Sequence, residues 1–231
     1  NMKLPGVYFA YAGMEALFGH THQAVRIGLA CVNILTIVLL FSLGKNLIDP
    51  LAGLIASAFY AVLTLDPVLQ GMFANSEHFV NLFAAGGMVL LLHALKKNRP
   101  AFYFISGLLF GAGVIMKQHG AFFSLFALSY LIAAALTAGS TFPHVIRRGL
   151  LFSAGAAVPY GCVCLLFWSA GIFDRFWFWT VQYASMYTAQ VPLALGWEML
   201  KETLRDIFRS SPLVSLLAGI GLMSPVWSRQ A

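Results

Sequence analysis

Apolar residues run along this chain in blocks longer than a soluble helix needs, separated by short polar breaks. Ile27 to Gly44, Phe79 to Leu95 and Gly149 to Phe173 contain no Asp, Glu, Lys or Arg. A helix crossing a bilayer needs about 20 mainly apolar residues, and these blocks approach or reach that length. The pattern predicts seven spans, at 27–44, 51–65, 79–95, 102–116, 121–138, 150–172 and 213–225. The second, fourth and seventh are short and contain Gly, so their limits are soft. No repeat and no low-complexity linker divides the chain, so 1–231 is expected to form a single, all-α, polytopic membrane domain.

Two stretches follow a different pattern and read as interfacial, in outer segments 1–26 and 173–212. Residues 7–18, VYFAYAGMEALF, interrupt an apolar run with Glu15 and are rich in Tyr and Phe. Residues 197–209 place Trp197, Leu200, Leu204, Ile207 and Phe208 on one helical face. The other face pairs Glu198 with Lys201, Glu202 with Arg205 and Asp206 with Arg209 at i,i+3. Helices of this kind lie in the plane of the membrane interface. Between them, Phe176, Trp179, Tyr183 and Tyr187 share a face that suits an aromatic girdle or a sugar or lipid contact.

Composition agrees with the pattern. The chain is 60% hydrophobic and 10% charged, with a mean hydropathy of +0.81, whereas soluble domains carry roughly 25% charged residues. A water-facing fold is therefore excluded. If the spans alternate, one set of loops (45–50, 96–101, 139–149, 226–231) carries Lys45, Lys96, Lys97, Arg99, Arg147, Arg148 and Arg229 against Asp49 alone. The opposite loops carry seven basic residues balanced by seven acidic ones. The first set packs its cations into short loops and is assigned to the cytoplasm, leaving the longer, balanced loops on the outer side. Cys31, Cys162 and Cys164 fall within spans, and their spacing suits a structural role rather than a zinc site. Nothing in the pattern suggests a nucleic-acid partner. The start at Asn1, without a leader, and the stop just past an apolar run suggest a piece of a longer protein.

The predicted spans hold almost no ionisable groups, which argues against an ion-coupled transporter. Polar residues gather instead on the outer side. Lys3 precedes the Pro5-Gly6 break, Glu77 heads the third span, and Lys117, Gln118 and His119 occupy a tight turn between two spans. Two cations and a carboxylate at one membrane face suit an anionic, lipid-borne substrate, since lysine meets phosphate as a point charge. Each also has a plainer reading. Glu77 could favour the positive end of its helix behind an Asn75 or Ser76 cap, Lys117 could snorkel from a helix end, and Lys3 could be an interfacial lysine. His20, His22, His78 and His119 share that side and could hold a divalent metal or serve as ordinary polar groups.

Taken together, these stretches resemble GT-C glycosyltransferases of the protein O-mannosyltransferase and aminoarabinose-transferase type. The resemblance covers most of residues 1–190. NMKLPGVYFAYAGMEALFGHTHQAVRIG is similar to the family's Lys-x-Pro turn, aromatic interfacial helix and following span. ANSEHFVNLF is similar to its acidic residue before an apolar span, and GLLFGAGVIMKQHGAFF to its Gly-rich span ending in Lys-Gln. FWFWTVQYASMY is similar to a later loop of bacterial members.

The resemblance implies a membrane enzyme that moves a sugar from a polyprenyl-phosphate donor to a lipid, glycan or protein acceptor. The reaction would take place at the outer, periplasmic face, in a bacterial inner membrane. It implies that Lys3 meets the lipid phosphate, that Lys117 and Gln118 assist there, and that Glu77 is a second acid of the site, where several members have aspartate. The family's principal aspartate belongs to a loop upstream of residue 1, so this stretch alone is expected to be inactive. The contrasting reading is a non-enzymatic lipid or polysaccharide transporter or flippase, and a truncated scaffold without activity is a third.

Overall fold

The computed structural model describes residues 4–66, 71–189 and 192–227, and every regular element among them is helical. In chain order these are α1 (Gly6–Phe18), α2 (His22–Leu47), α3 (Pro50–Leu63), α4 (Ser76–Lys97), α5 (Pro100–Met116), α6 (Gly120–Thr137), α7 (Phe142–Ser169) and α8 (Phe173–Trp177). A π-helical turn, Phe178–Gln182, leads to α9 (Tyr183–Ala189), α10 (Leu193–Ser210) and α11 (Pro212–Trp227). Among the described residues α2, α4, α6 and α7 are long and apolar enough to cross a membrane, and α3 and α5 are shorter apolar helices. The protein is an all-α polytopic membrane protein. Its residues fall into two compact units, Asn1–Thr180 and Val181–Ala231.

Local chemistry sets where the helices start and stop. Thr21 opens α2 by accepting from the Ala24 amide at 3.2 Å, and Asp49 opens α3 by accepting from Ala52 at 2.8 Å. The three helices that start at the basic end, α3, α5 and α7, each have proline in the first two positions, where its missing N–H costs nothing. Asn98 ends α4 in the left-handed conformation, directly after Lys96 and Lys97, whose charges suit a helix C-terminus.

Three helices begin earlier than their charge-free blocks, and α4 takes in Glu77. α2 takes in Arg26, and α7 starts at Phe142 and takes in Arg147 and Arg148, which the sequence pattern assigned to a loop. Arg148 is accommodated because its guanidinium donates to Asn98 Oδ1 at 2.8 Å and to Ser140 Oγ at 2.9 Å. It also stands 5.7 Å from the Tyr103 ring centre.

The first unit packs through small residues. A methyl added at Gly107 of α5 would stand 2.0 Å from the Phe152 carbonyl oxygen of α7, and one at Gly155 would stand 2.1 Å from that of Phe104. Gly107 and Gly111 are four apart, the small-xxx-small spacing that lets apolar helices approach backbone to backbone. Gly44 and Gly53 do the same where α2 meets α3. Beside Gly107 the Ser106 hydroxyl donates to the Gly87 carbonyl at 2.8 Å, tying α5 to α4. Tyr103, Phe110, Leu91, Leu131 and Phe152 form the buried centre.

α1, at 13 residues and about 20 Å long, is too short to span the ~30 Å hydrocarbon layer. In the second unit, α10 buries none of its residues and leaves Trp197, Leu200, Leu204, Ile207 and Phe208 exposed. Of its three expected i,i+3 pairs, Glu198 with Lys201 is formed, at 2.7 Å.

Candidate functional site

The polar residues singled out in the sequence converge where α4 begins and α5 ends. α5 stops at Met116, Lys117 adopts an extended backbone, and α6 starts at Gly120. The turn is closed by the Gly120 amide donating to the Lys117 carbonyl at 2.9 Å and the Ala121 amide donating to Gln118 at 3.0 Å. So tight a turn needs glycine at 120, where a methyl would lie 2.6 Å from the Gly113 carbonyl oxygen. Lys117 is thereby held at the rim of the bundle rather than within it.

Glu77 is the second residue of α4, in the first turn, where the helix dipole favours a carboxylate. Asn75 occupies the N-cap position, but its side chain does not close that turn. Instead the Ser76 hydroxyl donates to Glu77 Oε2 at 3.2 Å, and the Lys117 ammonium donates to Glu77 Oε1 in an ion pair. Both carboxylate oxygens are therefore engaged, and the pair joins residues 40 positions apart. It stays accessible, with side-chain exposures of 44% for Lys117 and 48% for Glu77.

α1 completes the surroundings. The Tyr11 hydroxyl donates to the Ala74 carbonyl, two residues before α4, and its ring meets Phe79 edge-on with centres 6.1 Å apart. Burial, then the neighbouring Tyr8 and Glu77, push the Tyr11 hydroxyl above its usual pKa, so it stays a donor. His119 packs edge-on against Phe123 at 6.3 Å. Its pKa is held below the ordinary histidine value, first by burial and then by the Lys117 charge, with Glu77 opposing.

Among the expected site residues, the structure brings Glu77 and Lys117 into direct contact and places Gln118 exposed at the apex of the adjoining turn. Lys3 lies outside the described residues. His20 pairs with Glu15 at 3.4 Å, His78 is buried, and among the described residues no three His, Cys, Asp or Glu side chains come together as a metal would require. Sequence reasoning missed Tyr11 and Ser76. Tyr11 carried a signal only as one more aromatic residue of an interfacial helix, and Ser76 only as a possible cap. A model of the family described as dolichyl-phosphate-mannose-protein mannosyltransferase matches residues 3–160, a stretch that contains every residue of this site. No curated protein and no solved structure matches the chain.

Proposed function

The chain belongs to the dolichyl-phosphate-mannose-protein mannosyltransferase family, membrane glycosyltransferases that use lipid-linked sugar donors, and we propose that its Glu77–Lys117 pair is part of the donor and acceptor site. The donor is a sugar on a polyprenyl phosphate, and the acceptor supplies a hydroxyl. The bond between the sugar's anomeric carbon and the phosphate oxygen breaks, and a new one forms to the acceptor oxygen. The hydroxyl proton passes to a base, and polyprenyl phosphate leaves with the electron pair.

Lys117 meets the phosphate, with Gln118 beside it and Lys3 in the same role, and stabilises the charge that grows on the leaving group. Glu77 accepts from a sugar or acceptor hydroxyl, orienting it or taking its proton. When the donor phosphate draws Lys117 towards itself, one carboxylate oxygen is released for that hydroxyl. The reaction face is the outer, periplasmic one, because the opposite end carries the short cationic loops.

The observation that carries this reading is the exposed pair itself. A carboxylate and an ammonium, brought from α4 and from the α5–α6 turn, sit together at the rim of an otherwise apolar bundle. In membranes containing the intact protein, Glu77→Gln and Lys117→Met should each lower transfer from dolichyl-phosphate mannose by about 10²-fold or more. Insertion should be unchanged. Wild-type transfer in both variants would refute the assignment, and lipid movement across the bilayer without sugar transfer would indicate a transporter.

A further inference from the structure

We infer that α1 is a brace that sets the separation of Glu77 and Lys117, and that Tyr11 is the positioning residue through which it holds Glu77. This rests on the function proposed above.

α1 touches the heads of α2 and α4 and the end of α5. At its start, a methyl on Gly6 would lie 2.5 Å from the Ile115 carbonyl oxygen, so the α1 backbone abuts the end of α5 two residues before Lys117. Further along, Met14 fills the space beside Gly28 of α2, where a methyl would stand 2.4 Å from the methionine side chain. Val7 and Met14 are buried together with Phe79, Val80 and Met116, a cluster that joins the α4 head to the α5 end. α1 is therefore fixed to both elements that carry the pair.

Tyr11 supplies the polar part of that connection. Its hydroxyl holds the Ala74 carbonyl and its ring holds Phe79, so it grips the chain on either side of Ser76 and Glu77. Lys117 is placed by its own turn and by the Gly6 contact. Glu77 lies in the frayable first turn of α4, between the two points that Tyr11 grips, and Tyr11 thereby tunes its position. Tyr11 touches no reacting atom in this arrangement and acts through Glu77.

Tyr11→Phe keeps the ring on Phe79 and removes only the hydroxyl. Losing one such bond should lower turnover between about two- and ten-fold. The KM for dolichyl-phosphate mannose should be nearly unchanged, because the phosphate contact belongs to Lys117. A general packing role would not produce the second signature. In a double-mutant cycle with Glu77→Asp, the two losses should fail to multiply, since Tyr11 acts only by placing the Glu77 carboxylate. Losses that multiply, a raised donor KM, or wild-type turnover in Tyr11→Phe would overturn the inference. Failure of the underlying site reading would look different, because Glu77→Gln would then transfer sugar normally whatever Tyr11→Phe did.

Discussion

Gly107→Ala is the sharpest test of how this bundle is held together. The added methyl would meet the Phe152 carbonyl oxygen at 2.0 Å, where ordinary contact begins at 3.4 Å, so the α5 and α7 backbones would have to part by about 1.4 Å. The obstacle is backbone on a neighbouring helix, which cannot rotate aside as a side chain could. Overpacking of this kind costs about 1–3 kcal/mol or more, which for a chain of this size corresponds to a fall of roughly 2–12 °C in melting temperature. Gly161, on the facing helix α7, is the internal control. A methyl there meets nothing within 4 Å, and Gly→Ala within a helix stabilises by roughly 0.5–1 kcal/mol. Thermal unfolding of the purified protein in detergent, followed by loss of the monodisperse peak, should show Gly107→Ala melting several degrees below wild type. Gly161→Ala should melt level with it or slightly above. Equal melting temperatures for the two variants would refute the close-packing argument. So would a Gly161→Ala variant as damaged as Gly107→Ala.

Other expectations are as direct. Cysteines introduced at Gln118 and at Arg99 should be labelled from opposite sides of the membrane, Gln118 from outside; the reverse pattern would overturn the topology. Arg148→Lys should destabilise the protein nearly as much as Arg148→Ala, by about 1–3 kcal/mol in thermal melts, because a single ammonium cannot hold Asn98 and Ser140 while lying over Tyr103. A Lys variant as stable as wild type would contradict this. His119 should remain neutral at pH 7 and take up a proton only below its ordinary value near 6.5, so its contribution to stability is present above that pH and lost as the pH falls through its lowered pKa. Lys117→Met removes a repelling charge and leaves Glu77 in place, so the histidine midpoint, read by NMR of labelled imidazole, should move up; no movement would place Lys117 too far away to act on it.

The helices were legible because charge-free blocks are what a bilayer demands, and the spans of α2, α4 and α6 follow directly from 27–44, 79–95 and 121–138. The start of α7 was not. Arg147 and Arg148 look like loop residues in one dimension, and only the approach of Asn98 and Ser140 shows how a helix carries Arg148. The same limit governs the site. Glu77 as the head of a helix, and Glu77 and Lys117 as residues of one membrane face, were readable from position alone. Their contact depends on α4 and α5 lying side by side, which the Ser106 hydroxyl on the Gly87 carbonyl and the Phe110 ring against Gly87 determine. Tyr11 was hidden more completely, because its partner is a backbone carbonyl and no side-chain pattern marks Ala74.

The ion pair does not account for the stability of the bundle, and that bears on what it is for. With both side chains nearly half exposed, the pair contributes about 0–1 kcal/mol to folding, within the range of any surface salt bridge. The helix ends it joins are already fixed by Gly6 against Ile115 and by the cluster around Phe79 and Met116. Two charges that the fold does not need, kept at the rim of an apolar bundle and braced on both sides, can be broken at little structural cost when an anionic group competes for the lysine. Stability and transfer should accordingly separate. Gly107→Ala should lower the melting temperature, while Glu77→Gln should melt with the wild-type protein and lose transfer. If Glu77→Gln instead melted as early as Gly107→Ala, the carboxylate would be a structural element, and its place in the reaction would have to be given up.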